Sequence, residues 1–381
     1  MNPVYLDYAA TTPVDERVLQ AMKPYFCERF GNASSLYSWG REARKAVAEA
    51  REKVAALLQA SPSEVYFTSG GSESDNWAIK GAAFALRRAG RGKHIITSCV
   101  EHHAVLNACR WLEQEGFEVT YLPVDKNGRV LPEQVFDAFR DDTVLVSIMT
   151  ANNEVGTIEP IAEIGRRMQE QQIFFHTDAV QAAGHIPIAV DELHVDALSL
   201  SGHKLYGPKG VGALYLRRGS SLDSLVHGGP QEREMRAGTE NTAGIVGLGQ
   251  AAELAKQEMS DEWERLSDLR DMLIAAVREL GDSWINGDEK YRLPGHVSFG
   301  LRGISQDTLL IRLDMAGFAV SAGSACSAGA LEPSHVLLAM GQTKEQASSA
   351  IRVTLGRFTS VEEVQRFIRK LSLLVGAIRG R

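Results

Sequence analysis

Seven short runs rich in β-branched and aromatic residues, spread over residues 64–216 and separated by longer amphipathic stretches, constrain this chain more than any other feature. They are EVYFTS near Val65, HIITSC near Ile95, EVTYLPV near Thr120, TVLVSIMT near Val146, IFFHTDA near Phe174, DALSLSG near Leu198 and VGALYLR near Leu214. Helical periodicity fills 73–86, 102–114, 132–140 and 161–171 between them. Apolar strands alternating with helices of this length predict βα units, a mainly parallel sheet and helices on both faces. The expected architecture is α/β, with a large three-layer α/β/α domain.

After a helical stretch at 251–276 the order changes. HVSFGL, a helix at 304–315, the small-residue segment SAGSACSAGALEPS, the strand-like SSAIRVTLG and a last amphipathic helix predict a smaller α+β C-terminal domain. The expected division is an N-terminal segment 1–14 packing with the small domain, a large domain 15–255, and a small domain 256–381. Forty-one basic against forty-eight acidic side chains give a net charge of −7, which weighs against a nucleic-acid carrier that works by neutralising phosphates. The start MNPVYLDYAATTP has neither the basic nor the apolar region of a signal peptide, and no run approaches a membrane span. A cytoplasmic enzyme is the expectation.

Four cysteines, Cys27, Cys99, Cys109 and Cys326, are too few for a disulfide framework and lack metal-ligand spacing. For the first three, an inert buried thiol is the expectation. Cys326 differs, because SACSAG is small and nearly free of bulky apolar groups, which suits an exposed loop thiol or a mobile nucleophile.

Three motifs then combine. TSGGSESDN, at 68–76, follows a strand and opens a helix, so it is either a tight capped turn or a cradle whose glycines and amides face a phosphate. Neither a GxGxxG nor a Walker loop is present, which weakens dinucleotide and ATP readings. In HTDAVQ, Asp178 closes an apolar strand with Gln181 just beyond; it is an N-cap or a carboxylate in a cleft at the strand ends. In SGHKLYGP, Lys204 sits at another strand end, either snorkelling to solvent or forming an imine. Phosphate turn, buried carboxylate and strand-end lysine, in that order, are what pyridoxal 5′-phosphate requires.

The chain resembles the cysteine desulfurases of the NifS/IscS type, class-V aminotransferases within the fold-type-I pyridoxal-phosphate enzymes. The resemblance rests on YLDYAATTP at 5–13, GNASS at 31–35, TSGGSESDN, EHHAV at 101–105, ANNEVGT at 151–157, HTDAVQ, SGHKLYGPKG, RAGTEN at 236–241, SAGSACSAGALEPSHVL and IRVTLGRFT at 351–359. It implies that Lys204 forms the imine, Asp178 holds the ring-nitrogen proton, His102 stacks on the ring, and Asn153 and Gln181 contact its substituents. Gly71, Ser72, Ser201 and His203 would hold the phosphate, with Thr239 supplied by the second subunit of a homodimer. Arg352, otherwise a surface salt-bridge residue, would bind the substrate carboxylate, and Asn153 would share in that. Cys326 would take sulfur from L-cysteine as a persulfide, leaving L-alanine. Lys204 or His102 would serve as acid/base; His103 is expected to be a solvated neighbour, and the adjacent histidines lack the spacing of a metal site. Another pyridoxal-phosphate lyase or aminotransferase, such as selenocysteine lyase, and a noncatalytic sulfur-transfer scaffold are the alternatives. Tyr37 stands where relatives often have histidine, and Gly71-Ser72 replaces a commoner Ala-Thr pair. The short ending GAIRGR lacks a tail that some relatives use to meet an iron-sulfur scaffold, so the sulfur acceptor stays open between such a scaffold and a tRNA sulfurtransferase.

Overall fold

The structure, a computed structural model, describes residues 3–323 and 333–380. Cys326 lies outside the described residues.

A two-residue strand β1 (Val4–Tyr5) opens the chain, and the seven apolar runs become β2 (Val65–Thr68), β3 (His94–Ser98), β4 (Glu118–Leu122), β5 (Thr143–Ser147), β6 (Phe174–Asp178), β7 (Ala197–Ser201) and β8 (Gly212–Leu216). They form one sheet in the order β2-β8-β7-β6-β5-β3-β4. β8 runs antiparallel to both neighbours; the other pairs in the sheet are parallel. Every residue of β3, β5, β6, β7 and β8 is buried, so both faces of these strands are covered, and the polar side chains they carry, such as His176 and Ser199, lie inside the protein. The parallel strands direct their carboxyl ends to one edge, where Ser98, Ser147, Asp178 and Ser201 close four of them.

The sequence reading did not pick out the helix Ser38–Leu58, whose alanine-rich face packs along the helix Thr242–Glu279. The backbones come close: a Cβ added to Gly249 would lie 2.6 Å from the Cα of Ala50. Thr242–Glu279 has 38 residues, and residue 255 falls within it. Its first half, with Ile245, Leu248 and Ala252, joins the core under the large sheet. Its second half, with Leu266, Leu269, Leu273 and Val277, joins a separate core.

That second core lies on β9 (Ser283–Asn286), β10 (His296–Leu301) and, after β11 (Phe318–Ala319), β12 (Ala350–Thr354). The antiparallel order is β12-β10-β9, while β11 pairs in parallel with β1. Val4 and Leu6 are buried in this core, so the first residues cross back to it. The last helix, Val361–Ile378, begins with a capping box at Ser360 and Glu363 and buries Val364, Phe367, Leu371 and Val375 at helical spacing. No helix among the described residues is long and apolar enough to cross a membrane.

Candidate active site

Ten of the twelve residues named from the sequence line one cavity of about 390 Å³: Gly71, Ser72, His102, Asn153, Asp178, Gln181, Ser201, His203, Lys204 and Arg352. Its size is that of a small-molecule site. Thr239 is exposed and is not among the lining residues. The segment that carries it is tied to the site by Arg236, whose Nε donates to Glu73 at 2.8 Å in the first turn of the helix Gly71–Arg88. Cys326 is outside the described residues, although Gly323, the last described residue before it, lines the cavity.

The helix Gly71–Arg88 presents its N-terminus to the cavity, with no side-chain cap at Gly70. Its first amides are thus donors for an anion, reinforced by the helix dipole. Glycine is required at both positions for different reasons. Gly70 has φ +152°, and a Cβ on Gly71 would lie 2.6 Å from Cγ2 of Val180. The same contact gives a reason for glycine, and not alanine, before Ser72.

Lys204 closes the short turn Gly202–Lys204 after β7 and is only 8% exposed. Its Nζ donates to the carbonyls of Ala9 and, at 2.8 Å, Ala10. The N-terminal arm therefore solvates the buried amine, so Lys204 does not snorkel. Ala9 also accepts from Gln181 Nε2 at 3.0 Å.

Asp178 ends β6, and its Oδ1 accepts from the Val180 amide at 2.8 Å, so local turn bonding and a place in the cleft coexist. Burial raises its pKa, opposed by the charges of His102 and Lys204 and by that amide. His102 is the N-cap of the helix His103–Gln114. Its Nδ1 accepts from the Ala104 amide at 3.1 Å, which assigns the ring proton to Nε2. Burial, with Lys204 and Lys209 nearby, holds His203 down at about 4, so it is neutral at pH 7.

Arg352 is 2% exposed, which removes the surface salt-bridge reading. Its Nη2 donates to Asp7 Oδ1 at 2.8 Å and its Nη1 to the Asn153 carbonyl at 3.0 Å. Its Nε is buried without a partner. Such a planar fork, partly engaged and partly open, suits a carboxylate ligand.

Two expectations need correction. His103 is more than a solvated neighbour: partly buried, it lines the cavity and sits against His335 with ring centroids 4.7 Å apart and planes tilted by 37°, where burial and the nearby histidines lower its pKa. Among the cysteines, only Cys109 fits the buried reading; Cys99 is half-buried and Cys27 is exposed because its short helix, Pro24–Cys27, buries no residue.

Sequence reasoning missed Asp7, Asp75, Glu154 and His335. Asp7 and His335 had no local signal, since one acts from the N-terminal arm and the other lies far along the chain. Asp75 had one: it stands three residues after Ser72 and so shares its helix face. Asp75, His102 and Asp178 each place a ligand-type atom within 4.8 Å of the others.

The donor set fits a phosphorylated heteroaromatic aldehyde. It offers uncapped helix amides for the phosphate, a cradle that a side chain on Gly71 would fill, a carboxyl for a ring nitrogen, an imidazole and a buried primary amine.

The comparisons agree with that chemistry. The aminotransferase class-V family matches residues 4–367. A cysteine desulfurase IscS of Dictyoglomus turgidum is 54% identical over 377 residues, covering 99% of this chain and 95% of that protein. Among solved structures, a NifS-like protein superposes with a TM-score of 0.93 at 40% identity, covering 98% of this chain and all of that one. SspA in complex with cysteine superposes with a TM-score of 0.83 at 39% identity, covering 94% of this chain and 100% of that one. Sheet order, strand-end lysine, the family match over residues 4–367 and 54% identity over nearly the whole chain together assign it to the class-V aminotransferase family, in its group of NifS/IscS-type cysteine desulfurases.

Proposed function

We propose that the protein is a cytoplasmic, homodimeric pyridoxal 5′-phosphate enzyme that takes sulfur from L-cysteine, releasing L-alanine and leaving a persulfide on Cys326. The observation that carries the proposal is the convergence of Lys204, Asp178, His102 and the Gly71–Ser72 turn on one cavity that also holds a buried, partly open arginine. In this reading residues 15–255 bind the cofactor, 256–381 supply the cysteine, and 1–14 pack with the latter.

Gly71, Ser72, Ser201 and His203 would hold the phosphate, together with Thr239 from the second subunit. Asp178 would hold the ring nitrogen, His102 the ring face, Asn153 and Gln181 the substituents, and Lys204 the aldehyde carbon. When bound, the group supplies an electron sink for the substrate α-carbon. The Arg352 guanidinium fixes the carboxylate, with Asn153 beside it, and thereby orients the α-carbon. Lys204 Nζ, freed from the carbonyls of Ala9 and Ala10, moves the α-proton. In the sulfur step the Cys326 thiolate attacks the substrate sulfur. The new S–S bond forms as the substrate C–S bond breaks, and its electron pair leaves with carbon, which takes a proton. Thiol plus cysteine gives persulfide plus alanine, so no outside oxidant or reductant is needed. Lys204 and His102 are the acid–base groups available for that proton. The persulfide then passes to an acceptor protein, an iron-sulfur scaffold or a tRNA sulfurtransferase. The solved neighbour with cysteine bound supports L-cysteine as the substrate.

The test uses cofactor-loaded wild type and Cys326→Ala. The variant should keep the visible absorbance of the bound cofactor and lose cysteine-dependent formation of alanine and sulfide. Undiminished turnover would overturn the role of Cys326, and failure of borohydride to fix the cofactor on Lys204 would overturn the whole reading.

A further inference from the structure

Beside Asp178 lies a set of buried polar groups that the proposed reaction leaves unused. Asp75, on the helix whose N-terminus faces the phosphate position, lines the cavity and is 1% exposed. Its Oδ1 has no hydrogen-bond partner. Around it stand Asp178 and His176 of β6, Ser199 of β7, and Glu101, with His102 on the cavity side. None of these offers it a cation. His176 Nε2 lies 3.6 Å from Asp75 Oδ1, but this is no ion pair. Both ring nitrogens of His176 are engaged by serine hydroxyls, Ser147 at 2.9 Å and Ser199 at 3.0 Å, and burial pushes its pKa down to about 3. Glu101 is itself buried and held at about 8.

Two carboxyls this close in a dry site cannot both ionise, because each raises the cost of charging the other. The proton then goes to the acid with less help. Asp178 has the Val180 amide and the fields of His102 and Lys204, whereas Asp75 has only the Ser199 hydroxyl to favour its charge. Burial and the neighbouring Asp178 charge accordingly push Asp75 well above the usual carboxylate range.

We propose that Asp75 is a positioning residue: it stays protonated, faces its proton-bearing carboxyl toward Asp178, and so leaves the pair with one negative charge, carried by Asp178, opposite the ring nitrogen of the cofactor. The same helix then serves both ends of the cofactor. Its first amides take the phosphate, and one turn later its side chain sets the charge and orientation of the ring-nitrogen partner. The inference rests on the cofactor reading above.

Two measurements test it. The infrared difference between wild type and Asp75→Asn, at neutral to mildly alkaline pH and with or without cofactor, should show the C=O stretch of a protonated carboxyl that the variant lacks. A wild-type spectrum without that band overturns the proposal. In cofactor-loaded protein, the pH midpoint of the visible absorbance should stay within about twofold in proton affinity for Asp75→Asn, whose amide can present a donor to Asp178. It should move by about fivefold or more for Asp75→Val, which cannot donate. Equal shifts in both variants, or none in either, overturn the proposal. If wild type does not attach the cofactor at Lys204, the parent reading fails, while the infrared arm on cofactor-free protein still decides the protonation of Asp75.

Discussion

Asp178 and Lys204, on the floor of the cavity, follow from adjacent strands of one sheet, whereas Arg352, on its rim, comes from a different sheet and is held by Asp7, 345 residues away. The floor is fixed by local events: a strand ends, a turn follows, and the side chain has nowhere to go but the cleft. The rim is fixed by long-range meetings. Asp7 meets Arg352, the carbonyls of Ala9 and Ala10 meet Lys204, and the Ser334 hydroxyl meets Glu154 at 2.5 Å. Changes to the floor should therefore strike the chemistry, and changes to the rim should strike substrate binding.

The largest effect expected from this contrast is at Lys204. Lys204→Ala should lower turnover by about 10³-fold or more, because the cavity loses its one buried primary amine and proton carrier. Alanine formation and the loss of covalently fixed cofactor measure it together. Arg352→Gln should leave the cofactor spectrum unchanged and raise KM for cysteine. A charge-assisted pair of about 1.5–3 kcal/mol corresponds to roughly 10–100-fold. An unchanged KM with a fallen kcat would erase the division between floor and rim.

Smaller effects should appear in stability. Gly71→Ala should cost about 1–3 kcal/mol in denaturant unfolding, through the contact with Val180, and Val180→Ala in the same chain should recover most of it. Glu101, buried below the floor, gives a pH signature. Its folded value of about 8 lies above the ordinary 4.5, so between those values the unfolded chain has lost a proton that the folded chain keeps. Stability accordingly falls as pH rises through that window, by on the order of 1 kcal/mol per pH unit. Glu101→Gln should match wild type near pH 4.5 and exceed it near pH 8, as read by thermal unfolding across pH.

The same contrast explains what could be read from the chain. The seven runs became the seven strands because each is a short run rich in β-branched, aromatic or leucine side chains bounded by turns, five of them buried along their whole length, and 161–171 became a helix with the expected bounds. Asp178, Lys204 and the glycine turn could be singled out because each follows a strand and breaks its pattern. Ser38–Leu58 escaped because its buried face is mostly alanine and glycine, a weak apolar signal that works through close approach to another helix. Asp7 escaped because nothing near it in sequence hints at a partner in β12. Arg352 looked like a surface residue until a family resemblance marked it; its burial depends on Asp7 and Asn153 closing over it. Asp75 was within reach of helical spacing, but its meaning depends on a second acid at the end of β6.

The helix Thr242–Glu279 has a mechanical consequence. It works as a single beam set into two masonry blocks, with Ile245 to Ala255 gripped by one and Leu266 to Val277 by the other. Unwinding of the whole helix strips apolar cover from both at once, so heating the chain should give one melting step, not two.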